Sequence, residues 1–206
     1  MIGRRGLAYS GWGVRMVGRG YAIFDTAIGR CGIVWSNSGV VAVQLPEARE
    51  IDTRRRIFLA HPEAREQHPP LNAELAIEGI VTLLQGNDPD FSDVSLDAGD
   101  VPAFNRRVYE HTCTIPRGET RTYNEIARAL GASGAAYSVA QAIAKNPYMI
   151  IVPCHRALEA GNYADRISPY GGMISKRRLL SLEGTRPIAS KTLFDVLLPV
   201  APPRSS

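Results

Sequence analysis

From Tyr21 to Pro46 the chain reads "YAIFDTAIGRCGIVWSNSGVVAVQLP", in which β-branched and aromatic residues are interrupted by turn formers at Gly29 and at Ser36 to Gly39. That alternation predicts two or three antiparallel strands. The next stretch, "EAREIDTRRRIFLAHPEAREQHPP", is mixed in charge and closes at Pro69 and Pro70, which predicts a short helix and a loop. In "LNAELAIEGIVTLLQG" the apolar positions Leu75, Ile77, Ile80, Val81 and Leu84 lie close to a helical period, and Gly86 is the stop. "NDPDFSDVSLDAGDVP" predicts a loop with one short strand, and a boundary falls near Asp100.

Beyond the boundary, "PAFNRRVYEHTCTI" has helical spacing through Phe104, Val108 and Cys113 and is broken by "PRGET". "TYNEIARAL" opens with Thr122 three residues before Glu125, the pattern of an N-terminal capping box, and ends at "GASG". A second helix, "AAYSVAQAIAKN", follows at once. Two short helices joined by a glycine-containing turn form a helix-turn-helix pattern, whose second helix reads a DNA groove in many proteins, although helical hairpins that bind nothing share it. "YMIIV" predicts an apolar strand running into "PCHR", and Lys176 to Glu183 predicts a last amphipathic helix ended by Gly184.

Composition narrows the class. Hydrophobic residues at 45% and charged residues at 21% over 206 residues fit a globular protein of one or two subdomains. Three widely spaced cysteines, Cys31, Cys113 and Cys154, suggest neither a disulfide framework nor a zinc site, and the expected setting is a reducing, cytoplasmic one. The four histidines, His61, His68, His111 and His155, have no close cysteine partners, so no metal is expected. The first twenty residues carry four arginines and no continuous apolar stretch, and are expected to be a flexible basic lead-in rather than a secretory signal. No run of about 18 apolar residues exists to span a membrane. The formal charge is +4, yet Phe104 to Arg186 holds 12 Lys+Arg against 6 Asp+Glu, a net of +6 that leaves −2 for the rest. The positive field therefore belongs to the half that holds Cys154, which points to a polyanionic partner.

Cys154 is the candidate nucleophile. A thiol becomes reactive when neighbours favour the thiolate, and His155 supplies a base next in sequence. Adjacent side chains on an extended segment point apart, so a bridging water is the expected link between them. The alternative is an inert, buried small hydrophobe at a strand end.

The order "IPRGETRTYNEIARALG", second helix, "NP", "VPCHR", "GG", "KRRLLSLEG" closely resembles the O6-alkylguanine-DNA alkyltransferase family, the methylated-DNA–protein-cysteine methyltransferases, over Val101 to Gly184. The stretch from Tyr21 to Pro46 also looks like that family's first domain. The resemblance implies an α/β (α+β) fold with a small ribonuclease-H-like domain over 21–100, a helical DNA-binding and catalytic domain with a helix-turn-helix over 101–186, and a tail over 187–206. It implies a suicide DNA repair reaction without a cofactor, in which a flipped O6-alkylguanine passes its alkyl group irreversibly to Cys154. His155 matches the water-linked base, Glu183 the carboxylate that orients it, and Asn146 the brace under the cysteine. Tyr123 matches the tyrosine that strains the target phosphate and donates towards the base. The carbonyls of Cys154 and Ala157 match acceptors for the guanine amino group, Ser168 the residue facing O6, and Ile143 a substrate contact. Tyr137, Ser138, Gln141, Lys145 and Arg156 fall at the DNA face. Outside the resemblance, Asn146 reads equally as a turn residue, Glu183 as a helix-end charge and Tyr123 as packing. The implied partner is double-stranded DNA, gripped from the minor groove by a monomer.

Two departures from the family pattern stand out. Tyr137 occupies the position of an arginine that enters the duplex and fills the space of the flipped base; tyrosine can stack but carries no charge. In "ALEAGNYADRISPYGGMISK", Ile167 stands where an aromatic residue walls the alkyl pocket, with Tyr170 as the alternative, and Asp165 and Arg166 replace glycines. These departures keep two other functions open: a non-enzymatic lesion binder, which the retained Cys154 argues against, and a repurposed relative acting on a non-duplex substrate. A helix-turn-helix transcription factor would leave "PCHR" unexplained.

Overall fold

The computed structural model describes residues 18–159 and 172–185. Three strands, β1 (Gly20–Thr26), β2 (Gly29–Ser36) and β3 (Gly39–Gln44), form an antiparallel meander as the alternation predicts. A two-residue strand β4 (Arg65–Glu66) adds parallel to β1, giving the order β3-β2-β1-β4. Arg19 and Gly20, counted with the lead-in from sequence, belong to this fold: Gly20 opens β1, and Arg19 pairs with Glu63 and Asp100, each at 2.9 Å.

The helix α1 (Glu50–Ala60) buries Thr53 and Ile57, and α2 (Leu71–Leu84) buries Ala73, Ala76, Gly79, Ile80, Leu83 and Leu84. These two rows belong to different clusters. Ile57 packs with Val34, Val41 and Ala64, whereas the α2 row joins Cys31, Ile33, Trp35, Val40 and Val43 in the main core. Alternate residues of β2 thus feed opposite faces of the sheet, as the two-residue period of a strand requires. Of the loop that follows α2, the expected short strand is a single bridge, Leu96 to Val40.

The helix α3 (Ala103–Cys113) turns inward through Val108, Tyr109 and Thr112, while Cys113 lies exposed. The helical spacing was right, but the inward row ends on Thr112, whose hydroxyl donates to the Val108 carbonyl at 2.7 Å and so hides its polarity. A short β5 (Arg121–Thr122) leads into α4 (Tyr123–Ala129). Its capping box is complete: Thr122 Oγ1 accepts from the Glu125 N–H at 3.2 Å, and Glu125 Oε2 accepts from the Thr122 N–H at 2.6 Å. The connection to α5 (Ala136–Ala144) passes through Gly131 and Gly134, both at positive φ (69° and 90°), where a side chain would be strained. After Cys154, β6 (Ala157–Leu158) pairs parallel to β5, and α6 (Gly172–Leu182) closes the described chain. Val139, Ile143, Tyr148, Ile150, Val152, Ala157 and Leu179 share one buried cluster with the inner face of the sheet. No helix among the described residues is long and apolar enough to cross a membrane.

Candidate active site and nucleic-acid face

The segment that sequence predicts as the strand "YMIIV" is a tight buried turn. The Val152 N–H donates back to the Tyr148 carbonyl at 2.8 Å, and Ile150 between them sits at φ 76°, alone among the described non-glycine residues in the left-handed region. A β-branched residue there costs about 1–3 kcal/mol, and it persists because Ile150 is buried in the core. Apolar character was the only strand signal, and burial inside a turn produces the same signal.

Asn146 takes over the hydrogen bonds that a ladder would have made. Its Oδ1 accepts from the Tyr148 N–H at 3.0 Å and its Nδ2 donates to the Val152 carbonyl at 3.1 Å. Pro153, at φ −76° and ψ 62°, then makes an inverse γ-turn in which the Cys154 N–H donates to that same Val152 carbonyl at 2.7 Å. Cys154 thus starts a 3-10 turn over Cys154–Arg156, and the residue is half-buried.

His155, the next residue of that turn, is buried. Its Nε2 lies 2.8 Å from Glu183 Oε1 at the end of α6, and its Nδ1 has no partner among the described residues. Burial pushes the Glu183 carboxyl up, but hydrogen bonds from His155 and Arg156 outweigh it and bring the pKa down to about 2. An ionised carboxylate only accepts, so Nε2 carries the proton and Nδ1 of the neutral ring holds a lone pair. Desolvation lowers the His155 pKa against the pull of Glu183, which favours that neutral ring.

Cys154 is pushed up by desolvation and pulled back by the Asn146 side chain and the Lys176 ammonium. The resting group is therefore a thiol that needs a base. Lys176 is itself buried, donating from Nζ to the Ala157 carbonyl at 2.6 Å and standing 6.0 Å from the Tyr123 ring centroid. Tyr123, first residue of α4, is nearly buried, and desolvation raises its phenol to about 12. The site therefore brings together Cys154, His155, Glu183, Asn146, Tyr123 and Ala157. Ile143 lies in the core on the inner face of α5.

The outer face of α5 is polar. Tyr137, Ser138, Gln141 and Lys145 are all exposed, and at 100° per residue they fall within one third of the helix circumference. Tyr137 is 74% exposed, with its hydroxyl accepting from Gln141 Nε2 at 2.8 Å. Arg156, expected on this face, turns inward instead. Its guanidinium is engaged by Glu183 and by the Ile115 carbonyl. Ser168, Ile167, Asp165, Arg166 and Tyr170 lie outside the described residues, as do most of the lead-in and the tail.

The profile of the family described as "6-O-methylguanine DNA methyltransferase, DNA binding domain" matches residues 103–185. A methylated-DNA–protein-cysteine methyltransferase of Methanothermobacter thermautotrophicus is 33% identical over 153 residues, 74% of this chain and 78% of that protein. The chain belongs to the methylated-DNA–protein-cysteine methyltransferase family. Its fold agrees. The crystal structure of the Mycobacterium tuberculosis O6-methylguanine methyltransferase superposes with a TM-score of 0.65 at 33% identity, covering 86% of this chain and 99% of that one. A structure of the M. tuberculosis protein in complex with DNA gives 0.62 at 31% identity, covering 80% and 92%.

Within this methyltransferase frame, sequence reasoning passed over Lys176. Nothing in "KRRLLSLEG" separates it from Arg177 and Arg178, since helical spacing says which face a residue takes but not that a lysine will be drawn into an apolar site. The strained Ile150 was equally invisible, because no local signal marks a β-branched residue at positive φ.

Proposed function

We propose that this protein repairs DNA by moving the alkyl group of O6-alkylguanine onto Cys154, once per molecule. The observation that carries the reading is the buried relay of His155, whose Nδ1 has no partner among the described residues and whose Nε2 meets Glu183 Oε1, next to the half-buried Cys154. His155 takes the Cys154 proton through a water. The thiolate attacks the alkyl carbon, the S–C bond forms as the C–O6 bond breaks, and the electron pair stays on guanine. Guanine then regains its missing proton, with the Tyr123 hydroxyl as the nearest acid in this reading and the imidazolium as the source that restores it. A thioether remains, no cofactor takes part, and nothing in the site cleaves the new bond.

Desolvation keeps the resting thiol protonated until His155 takes its proton, while Lys176 and Asn146 favour the thiolate once it forms. The Ala157 carbonyl, already holding Lys176 on one lone pair, keeps a second for the guanine amino group. Ser168, outside the described residues, is assigned to O6 by the family resemblance alone.

The substrate is duplex DNA, approached from the minor groove by the exposed row of α5. Tyr137 serves as the stacking wedge that holds the base out of the helix, and Lys145 contributes charge. The chemistry lies in the part from Val101 onward, and the reaction suits a monomer. Three free cysteines fit a reducing cytoplasmic setting.

The deciding experiment is intact-protein mass spectrometry with peptide mapping after mixing with a duplex that bears one O6-methylguanine. One methyl group on Cys154, and none in Cys154→Ala, is the expected result. An unmodified Cys154 in folded protein, on duplex and on free base alike, would overturn the proposal.

A further inference from the structure

Among the described residues, Arg156 makes three hydrogen bonds. Its Nε reaches Glu183 Oε2 at 2.9 Å, its Nη2 reaches Glu183 Oε1 at 2.8 Å, and its Nη1 reaches the Ile115 carbonyl at 2.6 Å. Glu183 Oε1 is thereby shared, because it also accepts from His155 Nε2 at 2.8 Å. We propose that Arg156 is a positioning residue for the transfer reaction: its fork fixes the Glu183 carboxylate and holds His155 as the neutral, Nε2-protonated ring whose Nδ1 can accept a proton. The inference rests on the reading of Cys154 as the alkyl acceptor.

The argument is one of charge and of shape. A buried carboxylate facing an imidazole alone would favour the imidazolium, and an imidazolium has no lone pair with which to take the thiol proton. The charged groups around the ring come from two elements. Arg156 and Cys154 share its 3-10 turn, and Glu183 and Lys176 come from the α6 end of the chain; Cys113 at the end of α3 lies near Arg156. Glu183 draws His155 towards the cation, whereas burial, Arg156 and Lys176 oppose it. Arg156 makes the carboxylate part of a neutral pair without taking its last acceptor site. Shape matters as much. A planar guanidinium grips both carboxylate oxygens at once and its far edge is anchored on Ile115, so the plane of Glu183 and the direction of Oε1 towards His155 are set together. A lysine could return the charge but not the fork.

Nitrogen-15 NMR of the His155 ring against pH tests this without any substrate, with the signal assigned by loss in His155→Gln. The wild-type ring should be neutral at pH 7 with the proton on Nε2. In Arg156→Gln the titration should move up by at least about one unit, so that methyl transfer to Cys154 falls off at a correspondingly higher pH than in the wild type and recovers in more alkaline buffer. Arg156→Lys should keep the wild-type titration yet transfer more slowly. His155 titrating in Arg156→Gln as it does in the wild type would overturn the proposal, even with a slower rate, since a merely structural arginine would give that result. Should Arg156→Gln fail to fold, Arg156→Lys decides: transfer at the wild-type rate would remove the argument from the fork, and a raised titration would remove the argument from charge. Absence of transfer in the wild type would sink the repair reading alone, and the ring titrations would still judge Arg156.

Discussion

Val43 on the edge strand β3 donates its N–H to the Pro147 carbonyl at 2.8 Å, so the sheet and the turn that carries Cys154 are joined by a backbone hydrogen bond. One residue on, Tyr148 extends the link by donating from its hydroxyl to the Asp97 carbonyl at 2.5 Å and packing edge-on against Tyr109, with ring centroids 6.2 Å apart. The turn under the cysteine is thus held from the sheet side by these contacts and from within by Asn146.

Asn146→Ala should therefore be among the more damaging single substitutions. It removes two buried hydrogen bonds and leaves the Tyr148 N–H without its acceptor, at a cost of about 2–4 kcal/mol. The Val152 carbonyl keeps its bond from the Cys154 N–H, so the loss falls on the Tyr148 side of the turn. Urea unfolding should show a lower midpoint with an unchanged slope, and methyl transfer should slow beyond the fraction unfolded. Asn146→Asp keeps the acceptor and loses the donor, so it should fall between Asn146→Ala and the wild type.

Lys176→Met tests the buried ammonium. Methionine can fill much of the same space but leaves the Ala157 carbonyl without that donor and removes a positive charge that favours the Cys154 thiolate. The pH at which Cys154 reacts with iodoacetamide, followed by peptide mapping so that Cys31 and Cys113 do not interfere, should move upward. An unchanged profile would mean that Lys176 acts on the Ala157 carbonyl only.

The contrast between Asn146 and Lys176 shows what could be read from the chain. Asn146, Cys154, His155 and Glu183 stand at fixed spacings around "PCHR", and spacing is visible in one dimension. The three-stranded meander, the capping box at Thr122 and Glu125, and the helices α2, α4 and α5 follow from period and caps, which are local. Direction was not visible. Arg156 follows His155 and looked like a surface cation, but a 3-10 turn rotates it towards Glu183, 27 residues away in sequence. The apolar run before Cys154 gave burial correctly and backbone shape wrongly, because Asn146 and two prolines decide the shape through contacts that period does not encode.

Tyr137→Ala should weaken binding to duplex DNA by roughly tenfold or more, since stacking of one base on an aromatic ring contributes about 1–3 kcal/mol. Transfer from the free alkylated base, which needs no wedge, should change little. Equal losses on both substrates in a gel-shift and transfer comparison would remove Tyr137 from the wedge role. Gln141→Ala, which frees the Tyr137 hydroxyl, should give a smaller loss of duplex binding than Tyr137→Ala.

Stability against acid should fall in two stages, and the sign follows from the two buried groups. The His155 pKa is lowered in the folded protein, so the unfolded chain binds more protons as pH drops through its ordinary value of about 6.5, and stability begins to fall there. Glu183 is also lowered, to about 2, so its contribution is complete above an unfolded carboxyl value of about 4.3 and is lost between that value and pH 2. With its side chain fully buried, this second stage should be on the order of 2–3 kcal/mol. Glu183→Gln should flatten the lower stage, since the carboxyl that titrates there is gone. It should also cost stability at pH 7, because Arg156 is left buried without its counter-charge. Thermal melts of both proteins from pH 8 to pH 3 measure this, and a Glu183→Gln curve parallel to the wild type through pH 4 would place the acid lability in other carboxylates.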